Sequence, residues 1–403
     1  MKYALVLIGG VLAVAMSGCK GNPPTSGGPA DSLVVNVVFP TDGVVVRGPT
    51  ALQVNVTGSS GGTKVRFIID GLSVSTDSTA PWEYTWDPTA LPNGSSHTFQ
   101  AIATDVGGNA DTSALRTMFA NYAPGEIWTL RSSGGLYDLR DIATDGAVLV
   151  AVGDSGRIIT SDSGINWTLR ASPTKGHLNG VASTSAYGFV AVCSLAGGDT
   201  ILFSPTGTTW TARTTTSTTG NLNDIMGFSA TLMAVGCNGQ VFRSTNGISW
   251  SLLVSGGPCV EAIKWCGLAN AQYVVVGQDG KIYTSNNGSA WDARNSGTVN
   301  WLRDVVGGCS KIVAVGDGGT IRSSTDGISW TSVASLGVDL NAVACSADAF
   351  VAVGKGGAIY TSFDAGATWT ARTSPTTNDL HGITVIGSRY VAVGVDGTII
   401  TSP

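Results

Sequence analysis

Seven tryptophans punctuate the chain: Trp128, Trp167, Trp210, Trp250, Trp291, Trp330 and Trp369, spaced 39, 43, 40, 41, 39 and 39 residues apart. Six of them close a glycine-containing turn: DSGINW, PTGTTW, TNGISW, NNGSAW, TDGISW and DAGATW. Upstream of the turns runs a second unit, an apolar run followed by Gly-x-x-Gly and another apolar residue. Examples are LVAVGDSGRI (149–158), VVVGQDGKI (274–282), VAVGDGGTI (313–321) and VAVGVDGTI (391–399). The second copy departs from this form, with Cys193 in place of Gly and a longer Ser194–Asp199 loop. A unit this short does not bury its apolar face alone, so the copies must stack on one another.

A period of about 40 residues holding four short strands is one blade of a β-propeller. Strand A is the Leu-x-Asp/Gly-Ile segment, as in Leu139–Ala143. Strand B is the VAVG run, strand C the Gly-x-Ile-x-x-Ser run, and strand D starts at the Trp. Each strand faces a neighbouring blade on both sides, which explains the nearly continuous apolar runs. The first D strand, at Trp128, precedes the first A strand, and the last set ends at Thr398–Ser402. Trp128–Arg131 is therefore expected to complete the seventh blade by pairing with Thr398–Thr401, which leaves no free sheet edge.

The segment before the repeat divides in three. Lys2, the apolar run Ala4–Ala15 and Met16-Ser17-Gly18-Cys19 read as a signal peptide over 1–18, its apolar stretch short for a membrane span. The last four residues resemble the bacterial lipobox, which implies a lipid on Cys19. Lys20 at the next position implies the outer membrane. Residues 19–31, rich in Pro, Gly and Ser, read as a flexible tether. Residues 32–120 hold short strands at Leu33–Phe39, Ala51–Val56, Lys64–Ile69, Trp82–Trp86, His97–Ala103 and Leu115–Phe119, with turn signals between them. VRFIIDG (65–71), APWEYTWD (80–87), LPNGSSHTFQAIATD (91–105) and GGN (107–109) resemble bacterial Ig-like modules. The expected fold class is all-β, an Ig-like β-sandwich followed by a seven-bladed β-propeller over 126–403.

Composition narrows the function. Net charge is −5, charged residues are 12% of the chain, and no Lys/Arg run is present, which argues against a nucleic-acid partner. Three His and no C-x-x-C pair argue against a zinc site, and no cofactor is expected. No Ser-His-Asp order stands out. The Gly-x-x-Gly turns lead into strands, not helices, so they are not phosphate cradles.

The Gly-turn-Trp segments resemble the Asp-box (BNR-type) repeats of sialidases and related propellers. Ser362–Trp369 fits Ser-x-Asp-x-Gly-x-x-Trp fully and Thr160–Trp167 with Thr first, whereas the other copies keep Gly and Trp and lose Asp at its place. The resemblance implies outer structural turns. Region 126–403 is also similar to the propeller family of photosystem II assembly factors, on the VAVGxxGxI and SxxGxxW units and the sevenfold count. That family implies partner-protein binding without catalysis, and the appended Ig-like module argues against a photosynthetic role. A sialidase would need an Arg cluster, an Asp acid and a Glu-activated Tyr. From Trp128 onward Glu261 is the sole glutamate, so no enzyme is expected.

Aligned on strand A, one position is polar in every copy: Arg140, Asn179, Asn223, Glu261, Arg303, Asn341 and His381. Flanking positions read as apolar or small. Such a ring surrounds one channel mouth, either facing water or recognising a protein segment or glycan, with Tyr137 and Trp301 adding stacking contacts. A second set, Arg131, Arg170, Arg213, Arg294 and Arg372, lies three residues after the Trp and is broken by Leu253 and Val333. These arginines are expected to lay their stems on the Trp edge and pair with Asp, or else to face an anionic partner. Cys266, Cys309 and Cys345 fall in equivalent A–B turns, and Cys237–Cys259 is the expected disulfide. The chain is read as a lipid-anchored binding scaffold of the cell envelope. A sialidase-like hydrolase or an assembly factor for a membrane complex are the alternatives.

Overall fold

A computed structural model describes residues 32–88, 91, 94–121, 123–194, 200–214, 222–267, 272–307, 309–347 and 349–402. Cys19, the signal segment, the tether and most of the Ser194–Asp199 loop lie outside the described residues. Two compact units emerge, dividing near Phe119.

The first unit is a β-sandwich. One sheet holds Val34–Phe39, Thr50–Thr57 and Glu83–Trp86. The other runs in the order Val44–Val46, Arg116–Ala120, Ser95–Thr104, Lys64–Ile69 and Leu72–Asp77, with Ala110–Thr112 also paired to Ser95–Thr104. Alternation drives it: Val65, Phe67 and Ile69 point inward while Lys64 and Arg66 point out. Phe67 stacks on Phe99 with ring centroids 6.1 Å apart. Trp86 is buried edge-on against His97, whose Nδ1 lies 2.7 Å from Asp70. Three strands have no counterpart in the sequence reading: Val44–Val46, Leu72–Asp77 and Ala110–Thr112. Two are only three residues long, and Leu72–Asp77 buries no side chain fully, so none carries an apolar period.

The second unit has seven four-stranded antiparallel sheets. Their inner strands are Leu139–Thr144, His177–Thr184, Leu222–Phe228, Val260–Cys266, Leu302–Val306, Leu340–Ser346 and Leu380–Ile386. Each packs against the inner strand of the blade before and after it, and the last packs against the first. The ring is thus a closed seven-bladed propeller. Closure follows the expected route: Thr129, Leu130 and Arg131 pair with Thr401, Ile400 and Ile399. Gly125 N donates to Ser402 Oγ at 2.7 Å.

The core is seven clusters, one at each seam between blades, and each takes one repeat Trp. Trp128 enters the seam between blades six and seven, beside Val351, Tyr390 and Ile400. Trp167, Trp250, Trp330 and Trp369 do the same at other seams. The Trp period is thus the seam period. Four of the indoles, those of Trp128, Trp167, Trp210 and Trp330, donate to a Gly carbonyl three residues back, which satisfies the N–H where the ring is buried.

Three expectations are corrected. Counting back from the Trp makes several turns look as if they had lost their Asp. Counting forward from the Ser, Asn246, Asn287 and Asp326 stand two residues on, as Asp364 does, and each accepts from two turn N–H groups. These turns are one residue shorter, with the side-chain acceptor intact. Next, the expected pairing of the outer arginines with Asp holds for Arg294, 2.9 Å from Asp292, but the recurring partner is Thr. Nε of Arg131, Arg170, Arg294 and Arg372 donates to Thr401, Thr160, Thr284 and Thr361 at 2.7–2.9 Å. In blade two Phe203 replaces that Thr, and Arg213 stacks on it at 4.3 Å. Finally, the disulfide joins Cys309 to Cys345, Cα atoms 6.5 Å apart, while Cys237 and Cys259 are unbonded thiols. Inner-strand ends of adjacent blades converge near the axis, which brings that separation within disulfide range.

Candidate functional site

The central channel encloses a cavity of about 600 Å³. Arg140, Asn179, Asn223, Glu261, Arg303, Asn341 and His381 all line it, so the structure brings the expected polar ring together. Most of these side chains already have work within the fold. Asn179, Asn223 and Asn341 each donate Nδ2 to the first carbonyl of the next inner strand: Leu222 O at 2.8 Å, Val260 O at 2.9 Å and Leu380 O at 2.8 Å. His381 Nδ1 lies 3.2 Å from Leu139 O and makes the equivalent contact from blade seven to blade one. Arg140 turns to Asp154, which His177 also contacts at 2.9 Å. Against the cost of burial, these two partners hold the Asp154 carboxyl below its ordinary value. Arg303 makes two bonds to Asp317, at 2.8 and 3.2 Å.

A second ring, one residue further along, corrects the reading of the flanking positions as apolar or small. It runs Asp141, Gly180, Asp224, Ala262, Asp304, Ala342, Gly382. Each Asp uses one oxygen for the N–H of its own next residue, Ile142, Ile225 or Val305, at 2.7–2.8 Å. The other oxygen crosses the seam to Val181, Ile263 or Val343 N at 2.8–3.0 Å. An Asp in the receiving blade would compete for that same N–H. Carboxylate and small residue therefore alternate, and seven blades leave one pair, six and seven, without a carboxylate. Gly180 and Gly382 precede Asp-bearing blades, and a Cβ there would meet the next Asp Cα at 2.9 and 3.0 Å. Ala262 carries a methyl at the corresponding place before Asp304.

Lys264 is the sole lysine on the channel lining among the described residues, and its Nζ lies 3.2 Å from Asp224 Oδ2. Burial, reinforced by the Asp224 charge, pushes Asp141 up to about 7. Burial lifts Asp304 to about 6 against the pull of Lys264.

The seam between blades four and five stands apart. Blade four presents Glu261, which makes no hydrogen bond to the Leu302 carbonyl, and Ala262, which carries no carboxylate. Among the described residues Glu261 has no hydrogen-bond partner. Burial raises its carboxyl, Arg303 opposes this, and the Asp224 and Asp317 charges add to it. On the rim, the residue before the inner strand is Asp138, Asp339 or Asp379 in three blades. Each accepts from the turn of the preceding blade, at Asp396, Gly318 and Gly356 N, at 2.7–2.9 Å. Blade five has Trp301 there. Its ring centroid lies 4.1 Å from the Arg303 guanidinium carbon, and its buried Nε1 has no acceptor among the described residues. The seam is held by apolar packing of Ala262, Val274, Leu302 and Val305, and further out by Gln272 Nε2 donating to Asp326 O at 2.6 Å. Neither Tyr137 nor Trp301 is among the described residues that line the cavity: Tyr137, half exposed, sits under Arg157 at 4.9 Å.

The far end of the channel is aromatic. Phe228 stacks on Trp265 with centroids 4.2 Å apart, and Trp265 meets Tyr273 edge-on at 4.7 Å. The sequence reading missed this cluster because neither Phe228 nor Trp265 recurs at its repeat position.

Comparison with known proteins agrees with the fold. Residues 34–101 match a family of bacterial Ig domains. No curated protein matches the chain. Among solved structures, "YCF48 bound to D1 peptide" is similar at 18% identity and a TM-score of 0.57, covering 68% of this chain and 96% of that one. YCF48 from Cyanidioschyzon merolae is similar at 19% identity and a TM-score of 0.56, covering 68% and 98%. The WD40 β-propeller domain of Doa1 is similar at 14% identity and a TM-score of 0.55, covering 68% and 97%. At these identities the likeness carries the propeller fold alone.

Proposed function

We propose that this chain is a non-catalytic binding protein of the cell envelope, held by a lipid on Cys19, whose propeller receives a segment of a partner protein at the polar mouth of its channel. The observation that carries the reading is the mouth itself: a cavity of about 600 Å³ ringed by hydrogen-bonding side chains on rigid inner strands. The similar propeller seen with a D1 peptide supports a protein segment as ligand. The lipobox-like Met16–Cys19 supports the anchor. Binding is favoured over sialidase-type hydrolysis by two features. Among the described residues lining the channel there is no tyrosine. Arg140 and Arg303 are already engaged by Asp154 and Asp317, and so are not free to clamp a substrate carboxylate. An assembly role is the case in which the bound segment belongs to a subunit of a membrane complex.

A photo-crosslinking amino acid placed at Arg140, on the channel lining, is expected to capture a partner protein in cells, and one at Phe363 on an outer turn is not. Equal capture at both positions, or capture at Phe363 alone, moves the site off the mouth.

A further inference from the structure

We propose that Cys237 and Cys259, which meet across the seam between blades three and four, form a two-thiolate site for a soft monovalent cation, copper(I). The proposal stands apart from the reading above and does not rest on it.

The argument begins with a fastening that recurs around the rim. There the B–C turn of one blade meets the residue that precedes the inner strand of the next. Between blades one and two, Asp154 meets His177 at 2.9 Å. At three further seams Asp339, Asp379 and Asp138 accept from Gly318, Gly356 and Asp396 N. Between blades three and four the places of Asp154 and His177 are taken by Cys237 and Cys259. The backbone draws the two segments together, since Gly256 and Gly257 N both donate to Asn238 O, at 2.8 and 3.2 Å. The two thiols hydrogen-bond each other. The repeat thus sets two sulfurs where another seam sets a carboxylate against an imidazole.

A thiol is a weak donor and a weak acceptor, so the pair fastens its seam poorly by itself. Burial pushes the Cys237 thiol up to about 11, and the Cys259 sulfur and the Glu261 charge add to this, so the thiol keeps its proton until a metal displaces it. Both cysteines are only partly buried, which leaves the sulfurs within reach of an ion. Thiolates select soft cations such as copper(I). Zinc takes four ligands, and among the described residues no third His, Cys, Asp or Glu joins the pair in a metal-holding group. Copper(I) is satisfied by two sulfurs in line. Binding forms two Cu–S bonds, each Sγ–H gives its proton to water, and the metal keeps its oxidation state. The complex then carries one negative charge. Asn223 Nδ2, which lies 3.9 Å from Cys237 Sγ while bonded to Val260 O, is the donor that faces that charge. The Glu261 charge works against it.

The experiment is an anaerobic titration of the reduced full chain with copper(I), in competition with a chromogenic copper(I) chelator. One equivalent should bind. Cys237→Ser and Cys259→Ser should each weaken it about hundredfold or more, and Cys266→Ala should leave it unchanged. A second measurement needs no variant: copper(I) should shield Cys237 and Cys259 from alkylation in the native chain, read by peptide mass. Zinc at the same concentration should neither shield them nor displace the copper. The inference is overturned if the Cys237→Ser/Cys259→Ser chain binds copper(I) as tightly as the native one, if copper(I) leaves alkylation of the pair unchanged, or if zinc displaces it. A Cys237–Cys259 disulfide in the chain isolated from cells overturns it as well. Thermal melting of each variant separates lost binding from lost fold.

Discussion

Blade four is held differently on its two sides. Towards blade three, Asn223 reaches the Val260 carbonyl, Asp224 reaches the Ile263 N–H, and Lys264 returns to Asp224. Towards blade five there is apolar packing and Gln272, and among the described residues Glu261 and Trp301 Nε1 have no hydrogen-bond partner. The same fold thus makes one seam with its polar groups mutually satisfied and one with polar groups left open. A repeat protein can keep its core in every copy and place recognition where a single copy drops a shared interaction. The difference also shows why a polar ring is a poor guide to a binding site until its internal partners are known.

The comparison breaks outright if stability is set by ring closure alone and not by what joins each seam. A chain starting at residue 132 loses Trp128 from its seam cluster and the ladder to Ile399–Thr401. Loss of a buried Trp costs about 3–5 kcal/mol before any ladder bond is counted, so the truncated chain is expected to melt well over 10 °C lower or to aggregate. Thermal melting at full native temperature would refute closure by this strand. Asp224→Ala tests the satisfied seam. It leaves the Ile263 N–H and the Lys264 ammonium without their acceptor, and about 3–5 kcal/mol should be lost. A loss below about 1 kcal/mol in urea unfolding would show that the cross-seam bonds contribute little.

The fold was legible because its signal is repeated seven times. One Trp per seam and one Gly turn per blade show the architecture even where single copies decay, as at Cys193. The ring position was legible for the same reason. Which ring residue is open was not, because it depends on the partner each side chain meets once folded: Asn341 with Leu380 in the next blade, Arg303 with Asp317 in its own, and Glu261 with no hydrogen-bond partner among the described residues. Asp141, Asp224 and Asp304 were legible only as the Asp/Gly position of strand A, because their alternation with Gly or Ala looks like noise in single copies. Its logic, one N–H shared by two possible carboxylates, exists only once neighbouring blades are side by side. The Cys309–Cys345 bond escaped for a related cause. Equivalent positions in adjacent blades diverge at the rim and converge at the axis, and the sequence repeat does not say how far.

That disulfide belongs to the neighbouring seam, between blades five and six, which Asp304 also crosses. Cys345→Ser should cost about 2–4 kcal/mol in denaturant unfolding, with the loss confined to stability. If the variant also lost binding at the mouth, the two ends of the channel would be coupled and the seams would not be independent. A smaller effect concerns pH. The folded state holds protons on Asp304 and Asp141 more tightly than the unfolded chain does, up to about 6 and about 7. Their contribution is therefore full below about pH 4 and is lost as pH rises through those values. Channel water screens the effect to on the order of 1–2 kcal/mol. The difference in stability between the native chain and Asp304→Asn should shift in favour of the Asn variant between pH 4 and pH 7. A difference constant over that range would mean the carboxylate stays ionised.

The smallest effect has the opposite sign from most substitutions. Glu261→Asn gives blade four the residue that blades two, three and six carry at the same position, where Nδ2 donates to the next blade's first carbonyl. The Leu302 carbonyl is the corresponding acceptor. The variant removes an unpartnered carboxylate from a partly buried site and supplies a cross-seam hydrogen bond, together a gain of about 0.5–1.5 kcal/mol. The open seam would then resemble its neighbours. A higher melting temperature is the expected outcome. If Glu261→Asn instead lowers stability, the Glu261 carboxylate contributes to the fold through its attraction to Arg303, and the contrast between the two sides of blade four is smaller than the hydrogen bonds imply.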